Sequence, residues 1–379
     1  MIRALFYVLM FQSQLLWSNN EVDDWDLDTV QTRLHTYEIS QWASGFEEIP
    51  WGMAFLPNGE MLVTDISGIL YKISSNGKQK IIIEDVPEIF RKGQGGLLDV
   101  EIHPDFSKNS WIYLAYSDPF PRRTGFTSVA RAKLIKNKLV DLEVIFRVDE
   151  VHATGKPYHF GSRLVFDLYN DLYFSIGDRG ERDEAQLLTT PNGKIHRIRD
   201  NGEIPSDNPF YKKSGHIQSI WSYGNRNAQG LTIHPETGEL WSTEHGPRGG
   251  DELNRIQKGL NYGWPVITYG INYIGTRITD LTEKEGMEQP VFQWTPSIAL
   301  CGIKFYSGEL FEKWNNHLLI TSLKFERLHR VVLEGNKMVD EEIIFEPGSR
   351  VRDVEIGPNE CIYVALENPG RIVILKPIK

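Results

Sequence analysis

A strand–turn–strand unit recurs six times along the sequence, and this repeat restricts the fold more than any other feature. In residues 51–65 two strand-like runs flank a Pro-Asn-Gly turn, and the later copies begin near residues 96, 162, 230, 302 and 353. Each copy alternates β-branched and aromatic residues with polar ones, which is typical of half-buried strands. The repeated unit is too long for one rung of a β-helix, and it contains no helical segment of the kind found in repeats that pair a strand with a helix. Six such units predict an all-β fold, a closed six-bladed β-propeller.

Composition and charge exclude several classes of protein. The formal net charge is −10, whereas a nucleic-acid-binding protein normally carries a basic face. An acidic surface is also poorly suited to binding anionic lipid. The sequence contains two cysteines, Cys301 and Cys361, too few for a disulfide framework or a cysteine-rich zinc site. With so few cysteines, the sequence favours two unpaired thiols over a single disulfide bridge between neighbouring blades.

Residues 1–18 have the pattern of a secretory signal. Arg3 precedes an apolar run at residues 4–11, and a second short apolar stretch follows before Ser18, the candidate cleavage position. The apolar run is shorter than the roughly 20 residues that a spanning helix needs, so no integral membrane span is expected. A membrane tether is the alternative. We therefore predict an exported protein, periplasmic or secreted, with a polar lead-in at 19–41 and one propeller domain at 42–379.

Two segments that precede predicted strands carry side chains able to bind or react. Residues 92–96 combine a glycine-rich turn with Gln94, whose amide can both donate and accept hydrogen bonds close to a ligand. Residues 158–163 place His159 at a strand entrance. A lone histidine is more often a structural residue, but loops at strand entrances face the mouth of a propeller. An imidazole there can take a hydroxyl proton near neutral pH.

Two further segments point to anion and metal binding. Residues 223–230 place Arg226 between two asparagines, and its planar fork suits carboxylates and quinone oxygens. Residues 244–254 form a loop rich in glycine and carboxylates, whose backbone carbonyls can serve calcium, a hard cation that takes oxygen ligands. This loop lacks the oxygen spacing of an EF-hand and the nitrogen or sulfur ligands of a zinc site.

Seven short motifs, taken in order, resemble the soluble aldose sugar dehydrogenases that use pyrroloquinoline quinone (PQQ), the glucose/sorbosone dehydrogenase family. They are Gly-Gln-x-Gly-Leu-Leu at 93–98, His-x-Gly-Ser-Arg at 159–163, Gly-Asp-Arg-Gly at 177–180, Tyr-Gly-x-Arg-Asn at 223–227, Glu-His-Gly-Pro at 244–247, Asn-Tyr-Gly-Trp-Pro at 261–265 and Arg-x-Arg-Asp at 350–353. The resemblance covers about residues 42–376. Each motif alone is modest, whereas the full set in this order is specific.

The resemblance implies a role for each matching residue. Members of the family are six-bladed propellers that bind the quinone across the wide mouth. His159 matches the general base, which takes the proton of the anomeric hydroxyl of an aldose while hydride passes to the quinone and a lactone forms. The residues that match cofactor-binding positions are Gln94, Arg226, Asn227, Tyr273, Lys324, Arg350 and Arg352. Those that match calcium-binding positions are Gly246 and Pro247 at the catalytic ion, and Glu252 and Tyr262 at a further ion.

Charge supports these assignments, because PQQ is a tricarboxylate and four of the matching residues are cationic in an otherwise acidic chain. Calcium would act as a Lewis acid on the quinone oxygen. One position departs from the family's pattern, since Tyr158 precedes the base where glucose-oxidising relatives have an acidic residue. The range of sugars therefore stays open, as do the electron acceptor and the choice between monomer and homodimer.

Two alternatives stay open from the residues alone. A calcium-dependent hydrolase of the lactonase type on the same fold would hold its ion with side-chain carboxylates at the channel centre, and Asp178, Glu244 and Asp251 are candidates. A non-catalytic propeller that binds carbohydrate or protein would tolerate the loss of His159 and the arginines, all of which are present.

Overall fold

Antiparallel strands form almost all the regular structure of the chain. The computed structural model describes residues 28–378. That part of the chain contains 25 strands: β1 (Asp28–Gln31), β2 (Thr36–Ser44), β3 (Pro50–Phe55), β4 (Met61–Asp65), β5 (Ile69–Ile73), β6 (Lys80–Ile82), β7 (Leu97–Ile102), β8 (Trp111–Phe120), β9 (Thr124–Ile135), β10 (Lys138–Phe146), β11 (Leu164–Phe166), β12 (Asp171–Ile176), β13 (Lys194–Arg199), β14 (Ile220–Tyr223), β15 (Ala228–Ile233), β16 (Leu240–Glu244), β17 (Asp251–Ile256), β18 (Phe292–Trp294), β19 (Leu300–Phe305), β20 (Leu318–Ser322), β21 (Arg327–Glu334), β22 (Lys337–Phe345), β23 (Val351–Ile356), β24 (Ile362–Leu366) and β25 (Arg371–Pro377).

Helical structure is confined to short connections. The described residues contain one helix, α1 (Phe106–Asn109), and four 3-10 turns, at Pro121–Arg123, Glu150–His152, Arg182–Gln186 and Glu312–Trp314. Between residues 28 and 378, no helix has the length and apolar character needed to cross a membrane.

The strands form six separate antiparallel sheets. Blade I contains β3–β6, blade II β7–β10, blade III β11–β14, blade IV β15–β18 and blade V β19–β22, while blade VI contains β23–β25 with β2 and β1. The first strand of each blade contacts the first strand of the next, and β23 contacts β3, so the ring closes. Each sequence repeat supplies the first two strands of one blade, which confirms the predicted six-bladed β-propeller.

Blade VI is completed by strands from distant parts of the chain. β2 pairs antiparallel with β25, with Ile39 opposite Leu375, and β1 adds an outer strand. Tyr37 and Ile39 are fully buried. The sheet therefore begins before the predicted boundary at residue 42, because alternate apolar residues give the polar-looking lead-in an inner face. The predicted signal at 1–18 lies outside the described residues.

The hydrophobic core is divided among the interfaces between neighbouring blades. In the described chain, a cluster of buried side chains lies at each of the six interfaces. Between blades I and II, for example, Leu62 belongs to one cluster with Val100 and Leu114. Cys301 and Cys361 are both buried and unpaired, as the sequence favours. Because every described blade buries one face on each neighbour, the sheets pack face to face all round the ring.

One edge of the ring collects the segments that the sequence singles out. Strands within a blade alternate in direction, so the start of each first strand and the end of each second strand lie at the same edge. Residues 92–96, 158–163 and 224–227 precede β7, β11 and β15, while residues 245–250 and 323–324 follow β16 and β20. The meander of each blade thus brings these segments to one mouth of the central channel.

Three buried charged residues line the central channel below this mouth. Arg163 Nη1 lies 3.0 Å from Asp99 Oδ1 and 3.1 Å from Asp353 Oδ1. The other oxygens of the two carboxylates accept hydrogen bonds from Leu164 N at 2.7 Å and Met53 N at 3.2 Å. The three charged residues are buried. One arginine therefore holds two carboxylates and, through them, connects blades I, II, III and VI.

Candidate active site

Two adjoining cavities lie at this mouth. The larger one, here called the mouth cavity, has a volume of about 430 Å³ and is lined by Gln94, Tyr158, His159, Asp178, Gly180, Arg182, Arg226, Pro247, Trp264, Asn272 and Tyr273. The smaller one, the channel cavity, has a volume of about 200 Å³ and includes Trp51, Gln94, Gln229, His245, Arg350, Arg352 and Glu367 in its lining. Gln94 belongs to both linings. The mouth cavity alone has the size expected of a small-molecule site, roughly 300–1,000 Å³.

His159 is held by a carboxylate in the wall of the mouth cavity. Its Nδ1 lies 2.6 Å from Asp178 Oδ1. Gly180 N donates to the same oxygen at 2.7 Å, and Trp264 Nε1 donates to Oδ2 at 2.8 Å. Burial opposes ionisation of Asp178, but the hydrogen bond and charge of His159, the charge of Arg226 and the hydrogen bond from Gly180 N together outweigh it, so the pKa of the carboxyl lies below its usual value.

The same contact fixes the protonation of the imidazole. An ionised carboxylate only accepts hydrogen bonds, so Nδ1 carries the proton and Nε2 keeps its lone pair. Burial lowers the pKa of His159, although the hydrogen bond to Asp178 partly opposes this. The ring is therefore neutral at neutral pH and has one free basic nitrogen, which is what a general base requires.

Neighbouring side chains constrain the backbone of His159. This residue has a φ of +58°, in the left-handed region that side chains rarely adopt. Gln94 Oε1 accepts a hydrogen bond from His159 N at 2.8 Å, and Asn227 Oδ1 accepts one from Gly161 N at 3.1 Å. Strain of this kind persists at functional positions where the surroundings enforce it. Gln94 and Asn227, expected as cofactor ligands, therefore also position the base.

Arg179 holds the backbone of the same loop by hydrogen bonds. Its guanidinium is fully buried, donates to the carbonyls of Tyr158 and Lys156, and lies 3.5 Å from the centroid of the Phe160 ring. The glycine-rich turn at 92–96 packs on this loop too, because a Cβ at Gly93 would lie 2.4 Å from the carbonyl oxygen of Pro157. We expected that glycine to allow close approach of a ligand, and the structure shows close approach of another protein loop.

Arg226 is a buried cation in the mouth cavity. Its Nη1 donates to the carbonyls of His245 and Gly246, both at 3.0 Å, and its Cζ lies 5.4 Å from the centroid of the Trp264 ring. Only 4% of the residue is exposed, and within residues 28–378 no carboxylate lies within ion-pair distance of its guanidinium. Asp178 and Glu244 are near enough to interact with this charge, but neither forms an ion pair with the guanidinium, and a buried charge without a direct partner is costly. The cavity is therefore suited to an anionic ligand.

The channel cavity adds a second positive group. Arg350 Nε lies 3.2 Å from Glu367 Oε2, and Arg352 Nε donates to Glu367 Oε1 at 2.8 Å. Two guanidinium groups thus share one carboxylate. Burial, with nearby Arg226 and Arg352, lowers the pKa of His245 to about 3, so its ring is neutral. Its buried Nε2 has no hydrogen-bond partner among residues 28–378 and is free for a ligand.

Two of the residues expected to bind the cofactor lie further from this centre. Tyr273 lines the mouth cavity but is 71% exposed. Lys324 is exposed and lines neither cavity, although its neighbour Leu323 lines the channel cavity. Its Nζ lies 5.3 Å from the centroid of the Phe325 ring. The structure therefore brings together His159, Gln94 and the three arginines, but not Lys324.

The residues expected at the catalytic calcium lie beside Arg226. Pro247 lines the mouth cavity, and the carbonyl of Gly246 accepts the hydrogen bond from Arg226 described above. A carbonyl oxygen has two lone pairs, so this bond leaves one of them available to a further donor or cation.

The residues expected at the second calcium lie in blade IV. Glu252 stands opposite Glu244 in the pairing of β17 with β16. Burial raises the pKa of Glu244 to about 7, and burial together with the charge of Glu244 raises that of Glu252 to about 8. The hydroxyl of Tyr262 is occupied, since it donates to Arg255 O at 2.6 Å and accepts from Gln257 N at 2.8 Å. Its backbone carbonyl is therefore the oxygen that it can contribute.

The carboxylates considered for a lactonase do not converge. Throughout residues 28–378, no three His, Cys, Asp or Glu side chains come together in a way that could hold a metal ion. Asp178 orients His159, Asp251 accepts from Gly246 N at 2.8 Å, and Glu244 accepts from Asn225 Nδ2 at 2.9 Å. Each of the three serves a separate network, and this arrangement disfavours the hydrolase.

The site contains three further residues that were not predicted to take part in a dehydrogenase. Asp178 orients the base, Trp264 holds Asp178 and contacts Arg226, and Glu367 lies between the two arginines of the channel cavity. Asp178 follows the second strand of blade III, within the Gly-Asp-Arg-Gly motif, so its place at the mouth could have indicated a role. Glu367 belongs to none of the motifs.

The fold and the site together define a six-bladed propeller enzyme with a general base and an anion-binding cavity at one mouth. A model of the Glucose / Sorbosone dehydrogenase family matches residues 47–374. The chain is also 41% identical over 335 residues to aldose sugar dehydrogenase YliI of Escherichia coli, which covers 86% of this chain and 90% of that protein. The chain belongs to the glucose/sorbosone dehydrogenase family and is an oxidoreductase that acts on sugars.

Solved structures agree with this assignment. The soluble aldose sugar dehydrogenase of Escherichia coli in its apo form superposes with a TM-score of 0.86 at 39% identity, over 90% of this chain and all of that chain. The PQQ-bound aldose sugar dehydrogenase of Streptomyces coelicolor gives a TM-score of 0.73 at 25% identity, over 90% of this chain and 98% of that chain.

Proposed function

We propose that this chain oxidises aldoses at the anomeric carbon to lactones, with PQQ and calcium as cofactors. One observation carries the proposal: a neutral imidazole with a free Nε2 shares a cavity with a buried guanidinium that forms no ion pair with a carboxylate among the described residues. The PQQ-bound relative supports the choice of cofactor. The signal-like pattern of residues 1–18 supports export, and the electron acceptor is unassigned.

His159 removes a proton in this proposal. Its Nε2 accepts the proton of the anomeric hydroxyl, and Asp178 holds the ring in the tautomer that makes this possible and stabilises the imidazolium that results. The quinone, when bound, supplies the acceptor for the hydride that leaves the same carbon. Gln94 keeps the base loop in place through its bond to His159 N.

The cationic residues fit a tricarboxylate. Within residues 28–378, Arg226 forms no ion pair, and Arg350 and Arg352 share a single carboxylate. The neutral ring of His245 adds a buried Nε2 that no described residue uses. Bidentate arginine–carboxylate pairs are strong and directional, so these groups would fix the position of the cofactor. Tyr273 would line the same site, and Asn227 would hold the loop that carries His159. Lys324, which is exposed, would have to swing inward to contribute.

The proposal is tested by reconstitution. Purified protein supplied with PQQ and calcium is expected to reduce an artificial dye when an aldose is added, and to show only background reduction when the quinone is omitted. Rates are to be measured across a panel of mono- and disaccharides. Absence of dye reduction with every sugar, in protein shown to be folded and to bind the quinone, would exclude the dehydrogenase.

Oxygen atoms around Glu252 fit a calcium ion. Asn225 Oδ1 and Asn254 Oδ1 are buried without a hydrogen-bond partner in the described chain, and their amide nitrogens donate to Glu244 and Glu252. Two carboxylates and two unused amide oxygens are the hard ligands that calcium takes. The carbonyl of Tyr262 would add a fifth oxygen. Burial raises the pKa values of both glutamates, and the charge of Glu244 raises that of Glu252 further, so a bound cation would favour their ionised forms.

Calcium is therefore expected to stabilise the protein through Glu252. At a calcium concentration 100 times the dissociation constant, binding would add about 2.7 kcal/mol to the free energy of unfolding. The Glu252→Gln variant is expected to lose this gain, measured as the difference in melting temperature between calcium and a chelator. Because the two carboxyls must lose protons to bind the ion, the gain is expected to grow as pH rises through about 7–8.

A matched control is Glu101→Gln. Burial raises the pKa of Glu101 to about 7, as for Glu244, but its place is at the far end of the channel. This variant is expected to keep the full calcium effect. If Glu252→Gln responded to calcium as the wild type does, this residue would not be a ligand.

A further inference from the structure

Arg182 lies in the mouth cavity without an anionic partner. It begins the 3-10 turn that follows the Gly-Asp-Arg-Gly segment, is exposed to the cavity, and forms no ion pair with any residue between 28 and 378. The nearest acids in sequence do not neutralise it. Glu181 pairs with Lys156 at 2.6 Å, and neither Glu181 nor Asp183 lines the cavity.

The guanidinium of Arg182 is oriented by two neighbours. Its Nη1 and Nη2 both donate to Asn272 Oδ1 at 3.3 Å, and its Cζ lies 5.8 Å from the centroid of the Trp264 ring. Asn272 cannot turn freely, because its Nδ2 donates to Thr276 Oγ1 at 3.0 Å. Trp264 is in turn fixed by its bond to Asp178, the residue that holds the base. Three of the five N–H groups of Arg182 are left for a ligand.

The cavity contains little that could repel an anion. Asp178 is the one carboxylate in its lining, and both oxygens of that carboxylate are engaged by His159, Gly180 and Trp264. The cofactor, when bound, would use the charge of Arg226, as proposed above. Arg182 would remain available to the substrate, because its guanidinium is held by Asn272, whereas that of Arg226 is held by the carbonyls of His245 and Gly246. The residue before the base is neutral Tyr158.

Two aromatic side chains lie in the same cavity as Arg182. Tyr158 is 38% exposed and Tyr273 is 71% exposed, and both line the cavity with His159. The Tyr158 ring lies 5.0 Å from the imidazole, centroid to centroid. Aromatic rings pack against the apolar faces of sugars, whereas an arginine fork binds a carboxylate or phosphate. The cavity thus combines a surface for a pyranose ring with a binding point for an anionic substituent.

We propose that Arg182 forms a subsite for an anionic substituent of the sugar, so that the preferred substrates are aldoses that carry a carboxylate or phosphate at the end away from the anomeric carbon. Uronic acids and hexose 6-phosphates have this chemistry. The inference rests on the proposed aldose oxidation, because it places the anomeric hydroxyl at His159. The reaction itself is unchanged, since the substituent is bound and not transformed.

The test compares matched pairs of sugars on the reconstituted holoenzyme. The kcat/KM for D-glucuronate or D-glucose 6-phosphate is expected to exceed that for D-glucose by about tenfold to a hundredfold, the range of a charge-assisted hydrogen bond. Arg182→Ala is expected to collapse this ratio, while Arg182→Lys retains more of it for the phosphate than for the planar carboxylate. Raising the ionic strength is expected to lower the ratio in the wild type. Preference for only one of the two anions would identify the substituent.

Arg277→Ala is the control, because Arg277 is exposed, pairs with Asp280 and lies on the loop that carries Asn272 but outside the cavity lining. It is expected to leave the ratio unchanged. Calorimetric binding of methyl β-D-glucuronide against methyl β-D-glucoside separates this inference from the proposed function, since neither glycoside can be oxidised at the anomeric carbon. An equal affinity for the two glycosides, or a ratio that Arg182→Ala does not change, would overturn the subsite. Lack of turnover with all sugars would instead contradict the dehydrogenase.

Discussion

Replacing His159 with alanine is expected to lower kcat by about 10²–10⁴-fold while leaving quinone binding intact. The neutral imidazole is the group in the mouth cavity with a free basic nitrogen, and Asp178 is placed to stabilise its protonated form. Its backbone is held by Gln94, whose side chain does not depend on the imidazole. Turnover is to be measured by dye reduction and quinone binding by calorimetry on the same preparation.

His216→Ala is a suitable control, because His216 lies in the connection between β13 and β14, away from both cavities. Wild-type turnover in the His159 variant would remove this residue from the role of base. The pH profile gives a second measurement. Burial lowers the pKa of His159 from 6.5, and the active form is the neutral one, so kcat/KM should be lost as pH falls through a midpoint below 6.5. A midpoint above that value would contradict the assignment.

Replacing Arg163 with methionine is expected to destabilise the fold by about 3–5 kcal/mol, the usual cost of leaving buried charges unpaired. Asp99 and Asp353 would be left facing each other in the channel, and through their second oxygens they bond to Leu164 N and Met53 N. The free energy of unfolding can be measured from denaturant titrations monitored by tryptophan fluorescence.

The pH dependence of this loss has a definite sign. Burial raises the pKa of Asp99, and it raises that of Asp353 to about 7, even with Arg163 present. Without the cation both rise further, so the variant gains relative stability when the carboxyls are protonated and loses it as pH rises through their folded-state pKa values. The deficit should therefore be smaller at pH 5 than at pH 8. Adding Asp99→Asn and Asp353→Asn should recover part of it, whereas Arg277→Met, at an exposed pair, should have no measurable effect.

The blade count followed from the sequence because each repeat carries its own strand alternation and turn. The closing strand did not, for a physical reason. β2 contributes only a few inward side chains, such as Tyr37 and Ile39, and its partner β25 lies near the other end of the described chain. The alternation of Tyr37 and Ile39 with polar residues is a weak local signal, and the partner that makes it a strand of blade VI is a distant segment.

For the site, too, some residues could be predicted from the sequence and others could not. Motifs identified His159, Gln94 and Arg226, because these residues lie in short segments at strand entrances, and the meander then places such segments at one mouth. Contacts that join separate segments were not readable. The bond from His159 to Asp178 spans 19 residues, and the shared use of Glu367 by Arg350 and Arg352 depends on the register of blade VI.

The five-stranded sheet that joins β2 to β25 also determines when the molecule can become complete. During synthesis β2 emerges early, yet the strand it must pair with, where Ile39 meets Leu375, is among the last parts of the described chain to leave the ribosome. Blades I–V can form from local hairpins while the chain grows, but the seam closes only through contacts of very large sequence separation, which are slow to form. The unsealed disc would expose two sheet faces and one strand edge, so chaperones would have their longest opportunity to act on this intermediate.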